Sequence, residues 1–483
     1  MLRSAGSKLQ NFQKESIKFH GLGLSLIVVT SLIFANPIIT FIIGGILHTV
    51  LAVFIIISEK KNNQLHITPI SILFLYVFFS DGLSAIYIST EFLEQDFIPF
   101  VNVFVYAKSI EMGYIINILG VFFLHLALQI FRPTKNIGII TYTTSLPRLL
   151  FLFLVGILFL VNPVLSLYLG SFLVASIVWL PTALILYIVL ASKQSLRITL
   201  QQKKIVVIIF TIVVLAIQVF SLSKLNILLA LLPAVWFFII ENEKKWKTVM
   251  VIILLMIFYS YFIYPFVTSA RQNFLSTLTT NNPISELSGS HQVRSYILQG
   301  EYVEETRKLD PKHNAIEAFL FRMFDSVPSG FIFNEVEVRG YTLGKSLEYV
   351  LYGLVPRIIW PDKPIVSRGG WFTNYVGSDI ASATAMTSFG ELYWNFGFVG
   401  VALGMFIIGA LYAGLWRLAG FYPQSSILSV WLYFLVMYGM MMHSEAGSVF
   451  IGVIQLYILF GLLILFRRSL YHKNIPNYQI SPG

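Results

Sequence analysis

The stretch GFVGVALGMFIIGAL, from Gly397 to Leu411, decides the fold class because it contains no charged or hydrogen-bonding side chain. Its small residues are typical of close helix packing inside a membrane. The apolar run around it covers 390–416 and exceeds the roughly 20 residues that a membrane-crossing helix needs. The whole chain shares this character: 57% of its 483 residues are hydrophobic, 12% are charged, and its mean hydropathy is +0.77. Soluble proteins carry about 25% charged residues, so the sequence predicts an integral membrane protein.

The same length criterion predicts an all-α polytopic membrane protein with about 12 transmembrane helices. Proline removes a backbone donor and clashes with the preceding turn, so Asn36-Pro37 splits one long apolar run into two spans. The predicted spans are 21–36, 38–58, 68–90, 112–131, 148–166, 170–192, 205–222, 225–241, 248–268, 390–416, 426–442 and 447–466.

Basic residues set the predicted orientation, because cytoplasmic loops are enriched in Lys and Arg. With the N-terminus in the cytoplasm, 20 of the 33 Lys and Arg fall in cytoplasmic loops and tails, two in short outer loops and 11 in one long outer loop. Both termini are therefore predicted to be cytoplasmic. The net charge of +10 follows from this topology, so no nucleic-acid partner is predicted. The chain has no cysteine, which excludes disulfides and thiolate metal sites.

Three regions follow from the spans. Residues 1–268 hold spans one to nine, residues 269–389 form an extracytoplasmic loop, and residues 390–483 hold spans ten to twelve and a cytoplasmic tail. The loop is nearly balanced in charge, with 11 basic and 12 acidic residues.

Two stretches of this loop are predicted to be amphipathic helices, because their apolar residues recur at helical spacing. One is NAIEAFLFRMFDSV (314–327). The other is SLEYVLYGL (346–354), in which one face carries Leu347, Val350, Leu351 and Leu354. The large loop is therefore expected to be partly helical, and its helices to pack on the bundle or on the membrane surface as a lid.

The segment LVPRIIWPDKP (354–364) combines three prolines with charged and aromatic residues. The prolines restrict the backbone, so Arg357 and Lys363 are displayed with little freedom. Trp360 favours a membrane interface. Because a guanidinium can bind two phosphate oxygens at once, the segment predicts a site for a lipid-linked phosphate or pyrophosphate. The alternative is that Arg357 reaches phospholipid headgroups or pairs with Asp362.

Three titratable residues near the ends of later spans are candidates for proton transfer. Glu391 lies at the outer edge of span ten, and His443 and Glu445 lie just after span eleven. Histidine and glutamate are common general bases. The alternative is structural: Glu391 pairs with a loop arginine, His443 is a buried hydrogen-bonded residue, and Glu445 is solvated.

The pattern of many spans, one large late outer loop, and PRIIWPDKP followed by GELYWNFGFVG resembles the Wzy-type O-antigen and oligosaccharide repeat-unit polymerases. The residue match covers about Arg339 to Met405. The resemblance implies a GT-C-like fold and an inverting glycosyltransferase. This enzyme would transfer a growing glycan from undecaprenyl pyrophosphate to an incoming lipid-linked repeat unit, without cofactor or metal. It implies the outer face of the bacterial cytoplasmic membrane, with membrane lipid and a chain-length regulator as further partners.

The resemblance also assigns roles to residues of this chain. Loop arginines would bind the pyrophosphate, Glu391 would be the first choice of base for the acceptor hydroxyl, and aromatic residues would stack on sugars. The candidate arginines are Arg322, Arg339, Arg357 and Arg368, and the candidate aromatic residues are Trp371, Tyr375 and Tyr393.

Two alternative functions remain open. One is an O-antigen ligase, which uses the same donor but a lipid A core as acceptor. The other is a lipid-linked oligosaccharide flippase, which is not an enzyme. A flippase is expected to show two similar halves and charged residues within its spans, and no repeat of halves is evident. An enzyme of the same superfamily that transfers single sugars is disfavoured, because its acidic pair is missing from the first outer loop, 35–37.

Overall fold

The fold is known from a computed structural model. It describes residues 2–62, 68–93, 96–100, 103–133, 146–161, 177–190, 199–220, 224–241, 250, 254, 320–321, 323–355, 359–360, 372, 375–376, 386–420, 427–440 and 444–472.

Helices make up most of this part of the chain. In chain order they are α1 (Leu2–Phe34), α2 (Pro37–Asn62), α3 (Pro69–Val77), α4 (Ser84–Glu91), α5 (Ala107–Ile130), α6 (Leu146–Val161), α7 (Leu180–Leu190), α8 (Leu200–Phe220), α9 (Lys224–Glu241), α10 (Ser326–Arg339), α11 (Tyr349–Gly353), α12 (Ser388–Ala419), α13 (Ile427–Gly439) and α14 (Ala446–His472). A π-helical turn, Phe78–Leu83, joins α3 to α4, and a 3-10 turn, Lys345–Leu347, precedes α11.

Two short strands precede α5 and were not predicted. Strands β1 (Phe97–Phe100) and β2 (Val103–Tyr106) pair antiparallel, with Phe97 opposite Tyr106. Apart from this hairpin the regular structure of the described residues is helical, so the prediction of a helical polytopic membrane protein is confirmed in this coarse form.

Seven helical segments among the described residues are long and apolar enough to cross a membrane: Lys14–Phe34, Pro37–Glu59, Pro69–Glu91, Ala107–Ile130, Leu200–Gln218, Ser388–Ala419 and Ala446–Leu463. Helices α6, α7 and α13 are apolar but shorter. Eleven of the twelve predicted spans overlap a described helix, whereas 248–268 lies almost entirely outside the described residues. The number of twelve therefore stays a prediction.

The predicted break at Asn36-Pro37 is confirmed. Helix α1 ends at Phe34, Ala35 has a φ of 50°, and α2 begins at Pro37. The Asn36 Oδ1 accepts a hydrogen bond from the Ile38 N–H at 3.0 Å and so caps the second helix. Proline is tolerated here because its missing N–H would be unpaired in the first helical turn.

Helix α12 is not the single straight span that the sequence predicts. Phe396 and Gly397 have non-helical backbone angles, and the φ of Gly397 is 64°, which favours glycine. The Leu392 side chain lies against Gly404, where an added Cβ would come within 2.5 Å of Leu392 Cδ2. Residues 12 apart in a straight helix are separated by about 18 Å. The chain therefore folds back at Gly397, and residues 388–395 form a separate short helix, which we call the half-helix.

The half-helix and α10 both lie against α5, the central helix of this region. Phe389 at the start of the half-helix packs on Gly120, midway along α5. At the start of α10, Ser326 accepts a hydrogen bond from Asn117 Nδ2 at 3.4 Å. Gly113 and Gly330 allow the two backbones to touch, because a Cβ on Gly113 would lie 2.4 Å from the Gly330 nitrogen. Two short helices thus begin about halfway along α5, an arrangement that forms binding sites in other membrane proteins.

Two details of the loop differ from the prediction. Residues 314–319 and 322 of the first predicted helix lie outside the described part of the chain, and 320, 321 and 323 are helical. Phe324 and Asp325 are not helical, and a further helix, α10, covers Ser326–Arg339. Pro328 falls in the first turn of α10, where proline is tolerated. In α11, Leu351 on the predicted apolar face is exposed, whereas Tyr349 and Gly353 on the other side are buried. Helix α10, which was not predicted, packs against α5 and α12.

Candidate functional site

Glu391 is a fully buried carboxylate in the first turn of the half-helix, which begins after the N-cap residue Thr387. Its Oε1 accepts a hydrogen bond from Ser346 Oγ at 3.1 Å, and its Oε2 accepts one from the backbone N–H of Gly447 at 2.9 Å. Gly447 lies in the first turn of α14, where the helix dipole favours a negative charge. Glu391 therefore joins three separate parts of the chain.

Asn395, one turn after Glu391, completes the connection to the segment before α11. Its Nδ2 donates to Ser346 Oγ at 2.7 Å, and its Oδ1 accepts from Thr342 Oγ1 at 2.7 Å and from the Gly344 N–H at 2.8 Å. All of its side-chain hydrogen-bonding atoms are used, so the half-helix is held rigidly against residues 342–346.

Glu445 immediately precedes α14 and is largely buried, with 8% of its surface exposed. Its Oε2 accepts a hydrogen bond from Ser448 Oγ at 3.3 Å, and Ser448 Oγ lies 3.4 Å from the Tyr349 hydroxyl. Burial raises the pKa of Tyr349 above its ordinary value, and the negative charges of Glu391 and Glu445 add to the shift. We call Glu391, Glu445, Ser346, Tyr349 and Ser448 the acid cluster.

A second group, which we call the arginine–aromatic cluster, comprises Arg339, Glu335, Tyr375 and Trp394. Arg339 Nη1 donates to the Tyr375 hydroxyl at 2.8 Å, and that hydroxyl donates to Glu335 Oε2 at 2.7 Å. Glu335 also pairs with Arg339 Nε at 3.4 Å. Arg339 remains accessible, since 64% of its side chain is exposed. Burial and the Glu335 carboxylate raise the pKa of Tyr375, whereas Arg339 lowers it.

Aromatic rings extend this cluster to the half-helix. The Tyr375 and Trp394 ring centroids are 5.2 Å apart, and the Arg339 guanidinium lies 5.5 Å from the Tyr375 ring centroid. Tyr393 is buried, and its ring packs against Phe333 at 6.0 Å and Phe398 at 5.1 Å. Tyr375 therefore lies beside a cation, whereas Tyr393 contributes to the core.

The half-helix connects the two clusters, because it carries Glu391 of the acid cluster and, three residues later, Trp394 of the arginine–aromatic cluster. The Trp394 carbonyl accepts a hydrogen bond from the Thr342 N–H at 2.9 Å, so residues 342–346 contact both clusters. The predicted residues Glu391, Glu445, Arg339 and Tyr375 are thus held in two groups that share one short helix and one neighbouring segment.

Several predicted site residues lie outside the described part of the chain. They are Arg322, Arg357, Lys363, Arg368, Trp371 and His443. Within the described residues, no group of three or more His, Asp or Glu side chains is arranged to hold a metal ion.

The sequence reasoning missed Ser346 and Tyr349 as members of the site. It weighed only the apolar face of SLEYVLYGL, although Ser346, Tyr349 and Gly353 recur at helical spacing on another side. A polar residue on a helix face that also carries glycine is a signal for close contact with another helix. Gly353 indeed lies against Ile451 of α14.

Chemically, the arrangement offers two buried carboxylates at the N-terminus of one helix and an accessible guanidinium stacked on an aromatic ring. Carboxylates can accept a proton, and a guanidinium can stabilise a phosphate leaving group. No protein-family model, no curated protein and no solved structure matches the chain.

Proposed function

We propose that the chain is a polysaccharide polymerase, which transfers a growing glycan from undecaprenyl pyrophosphate to the non-reducing end of an incoming lipid-linked repeat unit. The observation that carries the proposal is the half-helix, because it connects a pair of buried carboxylates to an exposed arginine and its aromatic neighbours. Its sequence, FGELYWN, lies within the stretch that resembles the Wzy-type polymerases.

In the proposed reaction, the acceptor hydroxyl loses its proton to a carboxylate, and its oxygen attacks the anomeric carbon of the donor sugar. The bond from that carbon to the pyrophosphate oxygen breaks on the opposite face, so the configuration inverts. The electron pair of the broken bond stays on the pyrophosphate, which the arginines stabilise. The products are one new glycosidic bond and undecaprenyl pyrophosphate, which takes up the proton.

The two carboxylates of the acid cluster are suited to different roles in the reaction. Both oxygens of Glu391 accept hydrogen bonds from donors fixed by the fold, so this carboxylate is engaged in holding the half-helix to its neighbours. We therefore assign Glu391 to positioning and Glu445 to the transfer of the acceptor proton. Among the described arginines, Arg339 is assigned to the pyrophosphate, together with Arg322, Arg357, Arg368 and Lys363 in the segments beyond the described residues.

The proposed setting is the bacterial cytoplasmic membrane, with both termini cytoplasmic and the site on the outer face. The charge distribution of the loops supports this orientation. Donor and acceptor would both be polyprenyl-linked, so the site would work at the lipid surface. A chain-length regulator is the further protein partner that we propose.

Glycan ladders from cells test the function and separate it from the ligase alternative. Cells that lack the gene are complemented with the wild-type chain or with Glu445→Gln. A polymerase restores long chains, and its loss leaves a single repeat unit attached to the lipid A core. If loss of the gene leaves long polymer on undecaprenyl pyrophosphate and none on the core, the chain is a ligase and the proposal is wrong.

A further inference from the structure

A stripe of buried polar side chains runs along α5, on a helix that otherwise crosses an apolar environment. Glu111, Tyr114, His125 and Gln129 lie on it, and Arg132 follows the end of the helix. All five are at least 96% buried. From Glu111 to Arg132 the stripe covers about 32 Å, which is the thickness of the hydrocarbon core of a bilayer. Buried ionisable residues at such depths are costly, and they mark ion or proton pathways in membrane proteins.

Three buried histidines from three helices meet beside this stripe. Nδ1 of His20 on α1 lies 3.2 Å from Nδ1 of His125 on α5. The His20 ring also packs edge-on against the ring of His48 on α2, with centroids 6.1 Å apart. Among the described residues, Nε2 of His20 and Nε2 of His48 have no hydrogen-bond partner. We call these residues the histidine trio.

Hydrogen bonding fixes which nitrogen of His48 carries the hydrogen. His48 Nδ1 lies 2.9 Å from the Gly44 carbonyl oxygen, which only accepts, so His48 Nδ1 carries a hydrogen and its Nε2 has a free lone pair. In the pair of His20 and His125, one Nδ1 must donate and the other accept. When His125 donates, His20 Nε2 carries the hydrogen, and the His20 ring lies beside His48, with ring centroids 6.1 Å apart.

The two ends of the trio reach different polar groups. At one end the Tyr114 hydroxyl lies 3.3 Å from His48 Nδ1 and donates to the Asp81 carbonyl at 2.7 Å. The Asp81 and Asp325 carboxylates lie at this end, where Asp325 accepts a hydrogen bond from Tyr76 and precedes α10.

At the other end His125 Nε2 lies 3.1 Å from Gln129 Nε2, and Gln129 approaches Ser16 at 3.4 Å. The ion pair of Arg132 with Glu59, at 2.6 Å, follows on this side. The titratable groups at the Tyr114 end of the trio are therefore the carboxylates of Asp81 and Asp325. At the Gln129 end they form the Arg132–Glu59 ion pair.

We propose that the histidine trio is a proton relay through the helix bundle, which moves protons between the Asp81 end and the Gln129 end. A proton added to Nε2 of His48 is balanced by release of the Nδ1 proton toward the Tyr114 and Asp81 side, and transfer in the other direction reverses each step. His20 and His125 exchange one proton through their shared Nδ1 contact. His125 takes up a proton at Nε2 as its Nδ1 proton passes to His20, and His20 releases its Nε2 proton toward His48. Each ring returns to its neutral form with its hydrogen on the other nitrogen, and the tautomers reset before the next proton passes, so no co-reactant is needed.

Proton flux into proteoliposomes tests the relay without any assumption about glycan transfer. The full chain is reconstituted with a pH-sensitive dye inside, and a potassium diffusion potential drives protons inward. We expect acidification above that of empty liposomes. His125→Asn and His20→Asn keep an amide near the Nδ1 position but cannot pass a proton, so each is expected to lower the flux to the level of empty liposomes.

Thr211→Val is the matched control, because Thr211 is a buried polar residue of α8 that bonds only within its own helix at 2.7 Å among its described contacts. It should keep the wild-type flux. Wild-type flux equal to that of empty liposomes overturns the proposal, and so does full flux from both histidine variants. If one variant does not fold, His48→Asn repeats the test from the third helix, and the wild-type measurement stands without any variant.

Discussion

The acid cluster and the histidine trio are both buried and polar, but they are bonded differently. Both carboxylate oxygens of Glu391 accept hydrogen bonds from donors that belong to other parts of the chain. In the trio, the Nε2 atoms of His20 and His48 lack a partner among the described residues. A fully satisfied polar network holds helices in one arrangement, whereas an open one leaves sites for protons. The comparison indicates that Glu391 contributes to stability and that the trio contributes little.

The largest expected effect is on turnover and comes from Glu445→Gln. The amide keeps the shape of the side chain but does not accept a proton at neutral pH, and loss of a general base costs about 10²–10⁴-fold in rate. Turnover of lipid-linked oligosaccharide by the purified variant measures this loss. The thermal midpoint should stay near that of the wild type, because the side-chain oxygen of the new amide can still accept the hydrogen bond from Ser448.

Glu391→Ala is expected to have the largest effect on stability. It leaves the Gly447 N–H and the Ser346 hydroxyl without their acceptor, and each buried group left unsatisfied costs about 1–3 kcal/mol. Thermal unfolding in detergent measures the loss. Glu391→Gln serves as the companion variant: if it keeps the wild-type midpoint and yet abolishes turnover, Glu391 is the base and our division of roles is wrong.

Gly447→Ala should break the acid cluster through sterics alone. An added Cβ would lie 2.5 Å from the Tyr349 hydroxyl oxygen, so the ring or the start of α14 must shift. The matched control is Gly452→Ala on the same helix, where nothing lies within 4 Å of an added Cβ. Alanine favours helix over glycine by about 1 kcal/mol, so the control should be neutral or slightly more stable. Equal thermal midpoints for the two variants would contradict the packing.

A smaller effect is expected from Tyr349→Phe, and it depends on pH. The pKa of Tyr349 is raised in the folded chain by burial and by Glu391. The unfolded chain ionises this hydroxyl near the ordinary value of about 10, so folding loses stability as pH rises above that value. Thermal midpoints from about pH 8 to about pH 11, a range that brackets the ordinary tyrosine pKa, should fall less steeply for the variant than for the wild type. Parallel curves would show that Tyr349 does not titrate differently on folding.

The smallest effect is expected from His48→Leu. The substitution removes a buried imidazole whose Nε2 has no partner among the described residues and whose Nδ1 contacts a backbone carbonyl of its own helix, so little hydrogen bonding is lost. We expect a thermal midpoint equal to or above that of the wild type. A loss as large as that of Glu391→Ala would remove the contrast between the two regions and give the trio a structural role.

Sequence reasoning found the helical class and the hairpin at Asn36-Pro37, because hydropathy and proline act locally. It missed the reversal at Gly397, since an apolar run looks the same whether it is straight or folded back. It also missed α10, because proline and glycine are unfavourable within helices unless, as here, Pro328 lies in the first turn and Gly330 lets α10 approach α5. The partners of Glu391 are distant in sequence, so no local pattern connects Ser346 and Gly447 to it.

One measurement tests the proposed function most directly. Purified chain in liposomes is supplied with undecaprenyl pyrophosphate-linked repeat units, and the lengths of the lipid-linked glycans and the release of undecaprenyl pyrophosphate are followed together. The account predicts chains of several repeat units, with one undecaprenyl pyrophosphate released for each linkage and neither product from Glu445→Gln. Folded wild-type protein that binds the repeat unit and yields neither longer chains nor released undecaprenyl pyrophosphate would contradict it.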